Sequence, residues 1–115
     1  MKSYIEVESN EQFQSLLASE KRVIVDFYAT WCPPCTMFKD TLERVYEGNS
    51  LADDIQIIKV NVDTLIDSAR AHSVHSLPTV VFFQDEREVR RFLGFRPAKD
   101  FLTETKEAFG DSAVK

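Results

Sequence analysis

The chain reads as an α/β domain, a central mixed β-sheet flanked by helices on both faces, in the order β-α-β-α-β-α-β-β-α. Three features predict it. The runs Arg22 to Tyr28 and Ile55 to Val62 carry apolar residues on both faces, as strands covered from two sides do. Amphipathic helical patterns separate the runs, so their pairings are parallel crossovers. A final pair of strands, Thr79 to Phe83 and Glu88 to Leu93, brackets the charged turn Asp85-Glu86-Arg87-Glu88 and adds antiparallel pairing. With 115 residues, 43% of them hydrophobic, residues 1–115 are expected to form one domain whose core needs no metal or disulfide staple.

Taken in order, Tyr4 to Val7 is a short strand. Ser9 followed by Gln12 has capping-box spacing, and Phe13, Leu16 and Leu17 then mark one apolar helical face. The second helix runs from about Pro33 to Tyr46, with Phe38, Leu42, Val45 and Tyr46 as its apolar stripe and Gly48 as its stop. Asp63 or Thr64 is placed to cap a short helix ending at Ala71. Pro97 suits the first turn of the last helix, which buries Phe101, Leu102, Thr105, Ala108 and Phe109 and ends at Gly110. Lys39, Asp40, Glu43, Arg44 and Glu47 read as the solvated face of the second helix.

The formal net charge of -5 lacks the basic face that nucleic-acid binding needs. The opening residues, Met1 to Glu8, have no apolar core of a signal peptide, and no apolar run approaches the ~20 residues of a membrane span. A cytoplasmic location is expected. There, two cysteines at CxxC spacing make a poor structural staple.

Chemistry concentrates at Cys32-Pro33-Pro34-Cys35. A thiol at a helix start meets unpaired N–H groups and the positive end of the helix dipole. With Cys32 at the N-cap and Cys35 three positions on, the Cys35 N–H reaches the Cys32 sulfur, while the two prolines offer none. Lowering a thiol pKa from ~8.5 toward ~7 takes roughly 2 kcal/mol, within reach of such a site. Cys32 is then the attacking thiolate and Cys35 the resolving thiol. The competing readings are half a zinc site completed by His72 and His75, whose spacing is tighter than a zinc-finger pair, and two inert core thiols. The second conflicts with an exposed edge location beside Trp31 and the prolines. Asp26, inside an apolar strand, is either a desolvated carboxylate able to relay a proton to Cys35 or an edge residue facing water. Both readings stay open on spacing alone. Pro78 belongs at a strand start, and without further information an ordinary trans peptide is the better expectation.

From Tyr4 to Phe109 the chain resembles the thioredoxin family. Val25-Asp26-Phe27, Ala29, Trp31-Cys32-x-Pro34-Cys35, Lys59-Val60-Asn61-Val62-Asp63, Leu77-Pro78-Thr79 and Gly94 carry the resemblance, in the right order and at the right separations. It implies a thioredoxin fold and a protein dithiol–disulfide oxidoreductase that reduces disulfides in protein substrates. Cys32 is implied as nucleophile, Cys35 as resolving thiol, Asp26 as the buried carboxylate with Lys59 supporting it, and Pro78 as a cis-proline. Trp31, Pro33, Pro34, Ser76, Leu77, Pro78, Gly94 and Phe95 would bind substrate. No bound cofactor or metal is implied; a thioredoxin reductase carrying FAD and using NADPH would restore the dithiol of a monomer.

The departures are Pro33 and Ser76 in place of glycines, Tyr28 where a second tryptophan is common, and Asp40 where a kinking proline often stands. Asp85 to Glu88 replaces a glycine-containing turn, so a longer or looser turn is expected. The altered rim at His75, Ser76 and Phe95 also admits a second function, a binding or chaperone module with secondary redox activity. An oxidase or isomerase is disfavoured, since no histidine lies between the cysteines.

Overall fold

The computed structural model describes residues 2–115. Nine elements follow in the expected order: β1 (Ile5–Glu6), α1 (Asn10–Ser19), β2 (Arg22–Tyr28), α2 (Pro33–Glu47), β3 (Ile55–Asn61), α3 (Ile66–Ala71), β4 (Thr79–Gln84), β5 (Arg87–Leu93) and α4 (Ala98–Phe109). A 3-10 turn at Asp111–Ala113 comes last. The strands form one sheet in the order β1-β3-β2-β4-β5. β2 pairs in parallel with β3 and antiparallel with β4, so it is central and its residues Val23 to Phe27 are all buried.

Strand alternation divides the core in two. Ile24 points to the face where Phe38 and Leu42 of α2 meet Phe101 of α4. Val23, Val25 and Phe27 point to the other, against Phe13 and Leu17 of α1. Asp26 shares the Ile24 face, two residues on, beneath the start of α2.

Local chemistry explains most boundaries. Ser9 caps α1 by accepting from the Gln12 N–H at 3.0 Å, and Gln12 Oε1 accepts in return from the Glu8 N–H at 2.7 Å. At the end of α2 the left-handed residue is Asn49 (φ 49°), not Gly48, which stays right-handed. A Cβ on Gly48 would sit 3.0 Å from Ser50 Oγ and 3.2 Å from the Arg44 carbonyl, a tight fit that a turn of the Ser50 side chain would ease. Tyr46 is exposed rather than part of the apolar stripe and meets the edge of Tyr4 at 6.0 Å between ring centroids. Neither Asp63 nor Thr64 caps α3; Leu65 holds that position without a side-chain bond, and Thr64 Oγ1 donates back to the Asn61 carbonyl. Pro97 is the N-cap of α4 rather than its first residue.

The last hairpin corrects the expectation of a longer or looser turn. Gln84 pairs with Arg87, leaving only Asp85 and Glu86 between the strands. Both have positive φ, 52° and 68°, the type I′ pattern whose twist matches that of the strands. The irregularity lies instead between Phe82 and Phe83, where Val89 is bulged out of register.

Candidate active site

The strand, turn and helix predicted around the cysteines form one unit. β2 delivers the chain to Ala29, and Cys32 takes the N-cap of α2 in extended backbone (φ −97°, ψ 111°). The Cys35 N–H donates to Cys32 Sγ at 3.3 Å. Pro33 and Pro34 occupy the first two helical positions, so this is the first N–H the helix end can direct at the sulfur. The Thr36 N–H then closes the first helical turn on the Cys32 carbonyl at 3.1 Å.

The thiols are not on an exposed edge. Cys32 and Cys35 are 4% and 5% exposed, both free thiols, packed with Ala29 and covered by Leu77, Val62 and Tyr28. What is exposed is their surround: Pro33, Pro34 and Trp31, the last at 67%. Trp31 Nε1 donates to Asp63 Oδ2 at 2.7 Å, which fixes the indole beside the thiols. That role of Asp63 has no local sequence signal, since the partners lie 32 positions apart.

Four more predicted residues, Ser76, Leu77, Pro78 and Gly94, lie on one linked loop region. The Leu77–Pro78 peptide is cis, the geometry the resemblance implied and spacing alone disfavoured. The Gly94 N–H donates to the Pro78 carbonyl at 2.8 Å, with Gly94 at φ 86°. Thr79 Oγ1 donates to the Ser76 carbonyl at 2.7 Å and pins the loop before the proline. Phe95 belongs to the neighbouring depression: it packs on the α2–α4 core and, with Met37 and Arg44, lines a cleft of about 340 Å³.

Asp26 settles on the buried reading. It is 1% exposed, and no group among the described residues hydrogen-bonds its Oδ1. Burial pushes its pKa from 3.8 up to about 7, against the pull of the Lys59 charge, with Glu6 adding to the rise. Lys59 is its register partner on β3 and holds Nζ 4.4 Å from the centre of the Tyr28 ring. The Cys35 thiol is pushed up to about 12, first by burial, then by its hydrogen bond with Cys32, while a backbone bond at Ala29 opposes the rise. A cleft of about 480 Å³ reaches Cys35 from the side, between Tyr28, Lys39 and Lys59.

His72 does not join the cysteines. Its ring lies 5.3 Å from Phe13, 5.3 Å from Phe83 and 6.1 Å from Phe27 on the other face of the sheet, and His75 is exposed. Among the described residues no group of three or more His, Cys, Asp and Glu converges as a metal site would, and no helix is long and apolar enough to cross a membrane.

The family model described as Thioredoxin matches residues 4–107. The chain is 39% identical to the thioredoxin of Mycoplasma genitalium over 92 residues, 80% of this chain and 87% of that one. It is 40% identical to thioredoxin-1 of Saccharomyces cerevisiae over 87 residues, 76% and 82% of the two chains. Among solved structures it superposes on Malassezia sympodialis thioredoxin with a TM-score of 0.79 at 29% identity, covering 94% of this chain and 93% of that one. Reduced Schistosoma mansoni thioredoxin gives a TM-score of 0.77 at 31% identity, with 91% and 98% covered. A pair of thiols at a helix start, on this sheet and with these relatives, places the chain in the thioredoxin family of thiol–disulfide oxidoreductases, which reduce protein disulfides.

Proposed function

We propose that residues 1–115 act as one domain in which Cys32 opens the reaction and Cys35 closes it. The observation that carries this reading is the 3.3 Å bond from the Cys35 N–H to Cys32 Sγ at the start of a 15-residue helix. A negative sulfur is favoured there by the donor and by the helix dipole. The Cys32 thiolate attacks one sulfur of a substrate disulfide. That S–S bond breaks, a Cys32–substrate bond forms, and the other substrate sulfur leaves as a thiolate. Cys35 then loses its proton to the Asp26 carboxylate and attacks Cys32 Sγ. The mixed disulfide breaks, the substrate departs fully reduced, and two electrons have left the Cys32–Cys35 pair as it becomes a disulfide.

Each supporting residue has a stated task. Asp26, titrating at about 7 beneath a thiol at about 12, is the acceptor for a proton Cys35 cannot lose unaided. Lys59 supports the carboxylate form. Trp31, Pro33, Pro34, Leu77 and Pro78 form the surface against which the substrate lies, with the Ser76 backbone beside it and Gly94 and Phe95 at the far rim. A flavin- and NADPH-dependent thioredoxin reductase is the partner that returns the two electrons, so the chain carries electrons as a cytoplasmic monomer and binds no cofactor itself.

Insulin reduction followed by turbidity tests the assignment. Cys32→Ser is expected to abolish it. Cys35→Ser is expected to accumulate a mixed disulfide with substrate, visible on a non-reducing gel. Equal accumulation in Cys32→Ser, or wild-type turnover by either variant, would overturn it.

A further inference from the structure

The outer edge of the sheet carries a charge that the proposed reaction does not use. Lys59 lies between two strands, and its register partners are both acidic: Asp26 on β2 and Glu6 on β1. Register partners in a parallel sheet project to the same face, so Glu6, Lys59 and Asp26 stand in one row across three strands. Tyr28 joins the row from β2. Its ring lies 4.4 Å from Lys59 Nζ. Tyr28, Glu6, Lys59 and Cys35 all line the same 480 Å³ cleft. Lys59 therefore has two acidic register partners, one buried and one exposed, and an aromatic ring against its ammonium.

We propose that Glu6 is a positioning residue for the disulfide exchange: placed in register across Lys59 from Asp26, it draws the Lys59 ammonium toward the sheet edge and so withholds part of that charge from Asp26. The inference rests on the relay role given to Asp26 above. The other titratable groups facing Asp26 and the cleft are Cys32, Cys35 and Lys39 from α2, and Tyr4 from the segment before β1, itself near Glu43. None of them shares Lys59 as a register partner.

The consequence has a defined sign. In Glu6→Gln the competing charge is gone, Lys59 attends Asp26 alone, and the carboxylate form of Asp26 is favoured. With the Lys59 ammonium no longer shared, a displacement of roughly half a pH unit is expected at low salt. A rate that rises as Asp26 ionises then shifts to lower pH, and Glu6→Gln outpaces the wild type two- to threefold near pH 6.

The experiment titrates the Asp26 side-chain carboxyl by carbon-13 NMR in four proteins: wild type, Glu6→Gln, Lys59→Met and the double variant. The pH profile of insulin reduction is followed in parallel. A downward move in Glu6→Gln that shrinks by half or more in the Lys59→Met background, where only the direct repulsion of the two carboxylates is left, with the activity profile moving alongside, is the expected result. An unmoved Asp26 in Glu6→Gln overturns the proposal, as does an equal move with and without Lys59, which would mean that Glu6 acts on Asp26 directly. A titration that moves while the activity profile stays fixed overturns the relay role of Asp26, and with it the place of Glu6 in the reaction, and leaves the charge coupling along the row measured.

Discussion

Asp26 makes the fold less stable in order to be useful. A carboxyl raised from 3.8 to about 7 binds its proton more tightly folded than unfolded. The folded state therefore loses stability as pH rises: the penalty is absent below the unfolded value and complete above the folded one. A displacement of that size corresponds to about 4 kcal/mol at most. Asp26→Asn is expected to be more stable than wild type at pH 8.5 by roughly 3 kcal/mol, with the gap closing as pH falls toward 4. Urea unfolding at the two pH values checks this, and a gap that widens in acid would contradict it. The same variant is expected to slow resolution of the mixed disulfide. Position 26 was open to a reading of burial because its neighbours on both sides are apolar. Glu6 was not: a single acid in a two-residue strand has no periodic context, and only the pairing of β1 with β3 shows which lysine it meets.

At the scale of elements, the hairpin between β4 and β5 holds an ion-rich turn in a conformation glycine and asparagine favour. Asp85 and Glu86 both sit at positive φ. The double substitution Asp85→Asn with Glu86→Gly suits a type I′ turn and is expected to raise stability by about 1 kcal/mol, read as a higher urea midpoint at unchanged slope. The sequence pointed to a hairpin there but to the wrong turn, because composition suggested looseness where register enforced tightness. The start of α2 behaved differently. Its N-cap, its prolines and its bond between positions 32 and 35 all follow from spacing, since a helix start is a local object. Pro33→Gly is expected to cost about 0.5–1 kcal/mol through the freer unfolded chain, without removing the Cys35 N–H bond to Cys32. Equilibration with glutathione then shows what Pro33 does to the redox potential.

Across the whole molecule, the residues after Gly110 had no reading in the sequence beyond the end of α4, yet they close the fold. Ala113 is fully buried, its carbonyl accepts from the Ala52 N–H at 2.8 Å, and Val114 bridges Leu51. The Lys115 N–H reaches the Ser50 carbonyl at 2.8 Å, so the chain end is tied to the loop before β3. Truncation after Gly110 is expected to lower stability by about 2 kcal/mol, from lost burial and two unpaired backbone groups, detectable as a drop in Tm. Such ties join segments some 60 positions apart and leave no periodic trace, whereas the succession of elements and the two-faced core were legible because hydrophobic patterning encodes them directly.

Trp31 is the single tryptophan of the chain, two-thirds exposed and tethered to Asp63 beside the thiols. The protein thus carries one indole, whose emission is excited selectively above the tyrosine band and reports from one place. Unfolding changes the solvation of that indole little, so its emission is a poor thermometer of the fold and circular dichroism serves better. A docking partner that covers the indole removes it from water, so a blue shift in emission is a label-free signal for encounter at the dithiol. With no second tryptophan to dilute it, that signal separates substrates that dock from disulfides that merely collide.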